Sequence, residues 1–261
     1  MYRSIALIKL KEEFAYKYRA LFSLTGSILS VILLWYLWTA IFASSVETTV
    51  AGFTLPAIIT YMIISTAIRA PNSTYFEHGI ETDVRTGFIA TQMVKPYTYP
   101  IYQFFVGLGE SMYKLIILTV PMLLLGILFF NLSLPANTLA FSISAILGFI
   151  INFSMALITG LWAFWTSGNI WGLRHSRQIL SDMISGAIIP LSFFPLWLAN
   201  IANLLPFKAI YSIPLSIYVG HITGNEIYYA ILQQLFWVGL FLVMIVIIWK
   251  RAEKRVVSQG G

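Results

Sequence analysis

The chain has 261 residues, 59% of them hydrophobic and only 10% charged, with a formal net charge of +6 and a mean hydropathy of +0.82. Soluble domains carry about 25% charged residues, so a soluble core is excluded as the place for this much apolar surface, and the bilayer is its natural solvent. There is no cysteine, hence no disulfide framework, thiol nucleophile or thiolate metal site, and the basic residues sit at the ends of apolar runs rather than in one stripe, which argues against a nucleic-acid partner.

In chain order, residues 2–19 (YRSIALIKLKEEFAYKYR) come first. Leu7, Leu10, Phe14, Tyr18 and Leu21 recur in steps of three and four, with Lys9, Lys11, Glu12, Glu13 and Lys17 on other faces. This pattern predicts an amphipathic helix lying in the inner membrane interface. A crossing helix needs about 20 mostly apolar residues. Six segments qualify: Ala20–Phe42, Val50–Ile68, roughly Ile101–Phe130, Leu139–Trp165, Ile179–Ala199 and Tyr228–Trp249. The first is too long, and its charged flank wrong, for a cleaved signal peptide. The 8 Trp, 14 Tyr and 19 Phe suit two interfacial aromatic belts.

Between spans two and three, residues 72–99 open with the polar run NSTYFEHGIETDVRTG and end in a short apolar edge of Phe88, Ile89, Met93 and Val94. Lys95-Pro96 closes the segment, because the residue before proline leaves the helical region, and Pro100 fits the first turn of the next helix. A short helix across the membrane face is predicted, tied at both ends to spans. In the third span Glu110 and Lys114 are spaced to pair on one helix face. They mark either an interfacial extension before the crossing or a buried pair that moves. On the outer side, Pro190, Pro195, Pro206 and Pro214, then Gly220 and Gly224, interrupt a stretch that stays apolar. That reads as a re-entrant hairpin over about 200–227, with Trp197, Phe207 and Tyr211 at the outer interface.

Orientation follows from Lys and Arg. Arg3, Lys9, Lys11, Lys17 and Arg19 precede span one, Arg69, Arg85 and Lys95 follow span two, Arg174 and Arg177 follow span four, and Lys250, Arg251, Lys254 and Arg255 form the tail. These 14 fall on one side, against Lys208 on the other and Lys114 within or near span three. Both termini are therefore expected in the cytoplasm, and six crossings are consistent with that. His78, His175 and His221 lie in separate regions without metal-ligand spacing. No GxSxG, HExxH or GxxxxGK[ST] occurs, so no catalytic or nucleotide-binding function is expected of the chain itself. Few ionisable groups lie within spans and no internal repeat is visible, which argues against an ion-driven carrier.

Two local patterns carry a family resemblance. DVRTGFIATQMVKPYTYP, Asp83–Pro100, is similar to the form R-x-G-x-x-x-x-x-hydrophobic-x-x-P. GAIIPLSFFPLWLANIANLLPFKAIYSIPLSIYVG, Gly186–Gly220, is similar to G-x-x-x-P…P…L-P-F…P…G. With the layout above, the chain resembles the permease subunits of ABC-2 type exporters, also called type V ABC transporters. It looks closest to the branch whose permeases often occur as two related subunits served by one ATPase.

The resemblance implies an all-α membrane protein, a single permease domain over 1–261 with six transmembrane helices, an N-terminal interfacial helix, a cytoplasmic coupling helix after span two and a re-entrant outer hairpin before span six. It implies a multi-pass place in the cell membrane and two copies of an ABC ATPase that bring ATP and Mg, with no cofactor in this chain. A second permease, identical or homologous, and membrane lipid complete the partners. The coupling helix would dock on the ATPase through Arg85, Thr86, Gly87, Phe88, Gln92 and Lys95. Spans two and five would line the path, making Tyr61, Ser65, Asp182 and Ser185 its candidates. The implied function is ATP-driven export of a hydrophobic or amphipathic substrate such as a drug, antibiotic or lipid-like molecule. A non-transporting sensor or immunity protein and a secondary carrier are the competing readings.

Overall fold

The structure, a computed structural model, describes residues 2–45 and 48–259. Apart from one isolated bridge between Val50 and Phe53, all regular structure among those residues is helical. The side chains of Lys17 and Arg19, used in the charge count, lie outside the described set.

Helix α1 (Tyr2–Phe14) stops before the predicted segment ends, and α2 (Lys17–Ser44) begins after a short turn. The buried face of α1 carries Ala6. It packs on α6 (Tyr99–Lys114), where Gly109 has no side chain to collide with the Ala6 carbonyl. The expected apolar stripe faces mostly outward instead: Leu7, Phe14, Tyr18 and Leu21 are exposed, and Leu10 is half-buried.

Helix α3 (Leu55–Asn72) is capped by Thr54, whose hydroxyl accepts from the Ala57 N–H, the arrangement that satisfies an orphan donor at a helix start. Two short helices follow, α4 (Phe76–Arg85) and α5 (Ile89–Met93). Then α6 runs through a π-helical turn at Leu115–Thr119 into α7 (Val120–Phe130). Pro121 explains that turn. Its ring would collide with the carbonyl four residues back and it has no N–H to give, and a widened turn is a common way for a long helix to pass such a point.

Helix α8 (Thr138–Leu161), continued by a 3-10 turn to Phe164, is the central post, and α13 (Asn225–Gln259) lies along it. Gln234 of α13 is fully buried and donates to the carbonyls of Ser144 (3.0 Å) and Ala209 (2.8 Å), a polar staple of the kind that fixes helices in an apolar medium. Between them come α9 (Trp171–Ile184), α10 (Leu196–Leu204), α11 (Phe207–Ile210) and α12 (Ser212–Tyr218).

Among the described residues four helical stretches are long and apolar enough to cross a membrane: Leu21–Ser44, Tyr99–Phe130, Thr138–Phe164 and Asn225–Arg255. They match predicted spans one, three, four and six. The second prediction corresponds to α3, 18 residues long and walled in by protein, with Arg69, Pro71 and Asn72 in its last turn. The fifth, Ile179–Ala199, is not a continuous helix. The chain breaks after Ile184, turns at Gly186 with φ +79°, and resumes at Leu196. Gly186 is the cause: that φ is freely open only to glycine, and Pro190 and Pro195 then prevent the helix from re-forming. The proline-interrupted segment is also deeper than predicted. Trp197 is 65% exposed, but Phe207 and Tyr211 are buried in the main core with α3 and α8.

Candidate functional site

The connection from α3 to α4 is clamped from three sides. The last carbonyls of a helix have no partner within it. Here Ser111 donates to the Pro71 carbonyl (2.7 Å), Asn152 to the Asn72 carbonyl (2.8 Å) and Lys114 to the Ser73 carbonyl. Both carboxylate oxygens of Glu110 accept the Tyr75 N–H, at 3.1 and 2.9 Å, and Lys114 pairs with Glu110 at 2.8 Å. The predicted Glu110–Lys114 pair is therefore formed and buried, and its additional bonds go to this connection.

From that clamp α4 projects with one face, Phe76, Glu77, Ile80 and Glu81, buried. Phe76 stacks on Phe153 of α8 with centroids 4.3 Å apart. Arg177 of α9 donates to both oxygens of Glu77, and Glu81 accepts from the Ile170 N–H and faces His78 Nδ1 at 2.9 Å. Burial alone would raise the Glu81 carboxyl, but these hydrogen bonds outweigh it and hold it below its ordinary value. At the far end Asp83 accepts from the Tyr99 hydroxyl at 2.7 Å.

The predicted contact residues lie where α4 turns into α5. Gly87, at φ +74°, reverses the chain. Arg85, Thr86, Gly87, Phe88 and Lys95 are exposed. Phe88 is 47% and Val94 86% exposed, and the Lys95 ammonium lies 5.8 Å from the Phe88 ring centroid. Gln92 differs. It is buried, and its carbonyl oxygen accepts from Lys95 and the Tyr97 hydroxyl, so it ties the turn together rather than facing outward.

The predicted path residues divide. Tyr61 donates to the Gly186 carbonyl at 2.7 Å and Ser65 to the Ala187 carbonyl, while the Ser185 hydroxyl accepts from the Ala187 N–H and the Ser185 carbonyl from Ser212. All three side chains are consumed by the break in the fifth segment, whose backbone groups need partners when buried. Asp182 instead lines a polar cavity of about 560 Å³ between α2, α3 and α9, to whose lining none of those three contributes, and it pairs there with Arg69 at 2.8 Å.

That cavity is the feature sequence reasoning missed, although its signal is present. Arg174, Arg177, Ser181 and Ser185 recur in steps of three and four with Asp182 beside Ser181, a polar stripe on a helix whose other face, with Leu173, Ile179, Leu180 and Met183, is apolar and exposed. Ser23, Gly26, Ser27 and Ser30 repeat the pattern on α2. Among the described residues no group of three or more His, Asp or Glu side chains is arranged to hold a metal ion.

A multi-pass helical chain with polar side chains turned inward around a cavity, and a small helical pair extending from one end, is the build of a membrane transport component. The model of a family described as ABC-2 family transporter protein matches residues 28–260. The chain belongs to that family: it is an integral membrane permease component of an ABC transporter, and the family implies an ATPase partner. A search of curated proteins gave no match.

Proposed function

We propose that the chain is one half of the membrane path of an ATP-driven exporter that moves a hydrophobic or amphipathic molecule across the cytoplasmic membrane, with ATP hydrolysed by separate subunits. The observation that carries this reading is the exposed patch of Arg85, Thr86, Gly87, Phe88, Val94 and Lys95. An exposed aromatic flanked by cations is the anchor style of a protein interface, and this one hangs between two helices that receive any force applied to it. In this reading α3 is the second crossing and the interrupted stretch from α9 to α10 the fifth. The re-entrant outer segment is α10 to α12, both termini are cytoplasmic, and a second permease, identical or related, completes the path.

The test is purification of the tagged chain from its own membranes in mild detergent, with co-purifying chains identified by mass spectrometry and ATPase activity measured. A stoichiometric partner carrying GxxxxGK[ST], lost or uncoupled in F88A and R85E, is the expected result. Absence of any ATPase under several mild conditions would overturn the reading in favour of a sensor or carrier.

A further inference from the structure

We infer that the cavity between α2, α3 and α9 binds the phosphate-type headgroup of an anionic amphiphile. Four cations line it, Arg69, Lys114, Arg174 and Arg177, against two anions, Glu77 and Asp182. Arg69 is used by Asp182, Arg177 by Glu77, and Lys114 by Glu110 from behind. Arg174 has no ion pair among the described residues. Its guanidinium carbon lies 6.0 Å from the Tyr75 ring centroid, and its charge acts on Glu77 and Glu81 without a direct bond to either.

A second observation is independent of that surplus. The Nε–H of Arg177 is buried without a hydrogen-bond partner, although its two terminal nitrogens are engaged. A buried donor left unmade is costly, and here it lies on a residue that lines the cavity. Guanidinium groups present planar forks matched to phosphate oxygens, and Arg174 and Arg177 both line the cavity, where they can supply such forks to that group. The volume of about 560 Å³ exceeds what a bare phosphate fills. Leu34 of α2 and Leu118 are among its lining residues, which gives the tail of an amphiphile an apolar wall to follow.

Binding is read on the purified full chain with whatever partner accompanies it and without ATP, so failure of the transport reading leaves this test intact. Phosphatidylglycerol, phosphatidylcholine and inorganic phosphate are titrated separately, with bound ligand counted by native mass spectrometry. Roughly tenfold tighter binding of phosphatidylglycerol than of phosphatidylcholine is expected, lost in R174Q and only partly restored in R174K, which returns the charge without the planar fork. Inorganic phosphate that displaces the lipid at millimolar levels would support the same site with a free anion as an alternative source. Equal binding of the two lipids by the unaltered protein, or undiminished phosphatidylglycerol binding by R174Q, would overturn the inference, and the first comparison stands even if R174Q fails to purify.

Discussion

Arg177 Nη2 donates to both carboxylate oxygens of Glu77, at 3.0 and 3.2 Å, across 100 residues of chain. The Glu77 side chain is 2% exposed. This contact joins α9, which lines the polar cavity, to α4, which carries the exposed turn at Gly87. One rigid connection thus links the proposed ATPase contact to the cavity wall.

The pair is buried, so removing one partner leaves an uncompensated charge at a cost of about 3–5 kcal/mol, whereas replacing both with apolar groups is far milder. E77A and R177M should each lower the unfolding temperature strongly in detergent, and E77L/R177M should recover much of the loss. Strict additivity of the two single effects would show that the pair is not formed.

Where the fifth apolar segment breaks, Tyr61 and Ser65 hold the freed carbonyls of Gly186 and Ala187. Y61F and S65A each leave a buried carbonyl unmatched and should cost about 1–3 kcal/mol. G186A forces a side chain into left-handed backbone and against Ser212, whose Cβ lies 3.0 Å from the position of the new methyl group, so it should be at least as damaging. Thermal unfolding of the purified variants checks this. Unchanged stability in Y61F and S65A would mean that the hydroxyls are free to line a path, as the sequence alone suggested.

That latch shows what was and was not legible. Crossing helices α2, α8 and α13 were visible because an unbroken apolar run of sufficient length has few alternatives in a bilayer. The end of α5 and the start of α6 were visible because Lys95-Pro96 and Pro100 act locally. The break at Gly186 was hidden, since one glycine in an apolar run is also compatible with a continuous helix. The bonds of Tyr61 and Ser65 were hidden for a related reason: a polar residue in a span signals a need for a partner, and the partner here is a backbone carbonyl more than 120 residues away. The stripe from Arg174 to Asp182 escaped because a search for hydropathy started the span at Ile179, inside α9, and divided its polar face.

Glu81 gives a pH dependence with a defined sign. Its carboxyl is held below the ordinary value of 4.5: burial works upward, but the hydrogen bonds from His78 and the Ile170 N–H prevail, helped by Arg174. A depressed carboxyl contributes stability that is complete above its unfolded value and is lost as pH falls through its folded value. Nearby Asp83 is pushed up, by burial ahead of its bond from Tyr99 and the charge of Lys95, so its contribution has the opposite sign and only a difference between variants isolates Glu81. The unfolding temperature should drop more for the unaltered chain than for E81Q between pH 6 and about pH 3.5. Equal drops would remove Glu81 from the account.

The absence of cysteine gives a clean background for mapping sidedness. Thr91 is exposed on α5 and Leu196 is 83% exposed at the start of α10. The excess of Lys and Arg predicts α5 inside the cell and α10 outside. T91C should react with a membrane-impermeant maleimide only in inside-out vesicles or permeabilised cells, and L196C in intact cells. Both sites are surface positions, so neither change should cost more than about 0.5 kcal/mol. Labelling of both from the same side would require an odd number of crossings to be replaced by an even one between residues 91 and 196, and would remove the proposed ATPase contact from the cytoplasm or the outer segment from the opposite face.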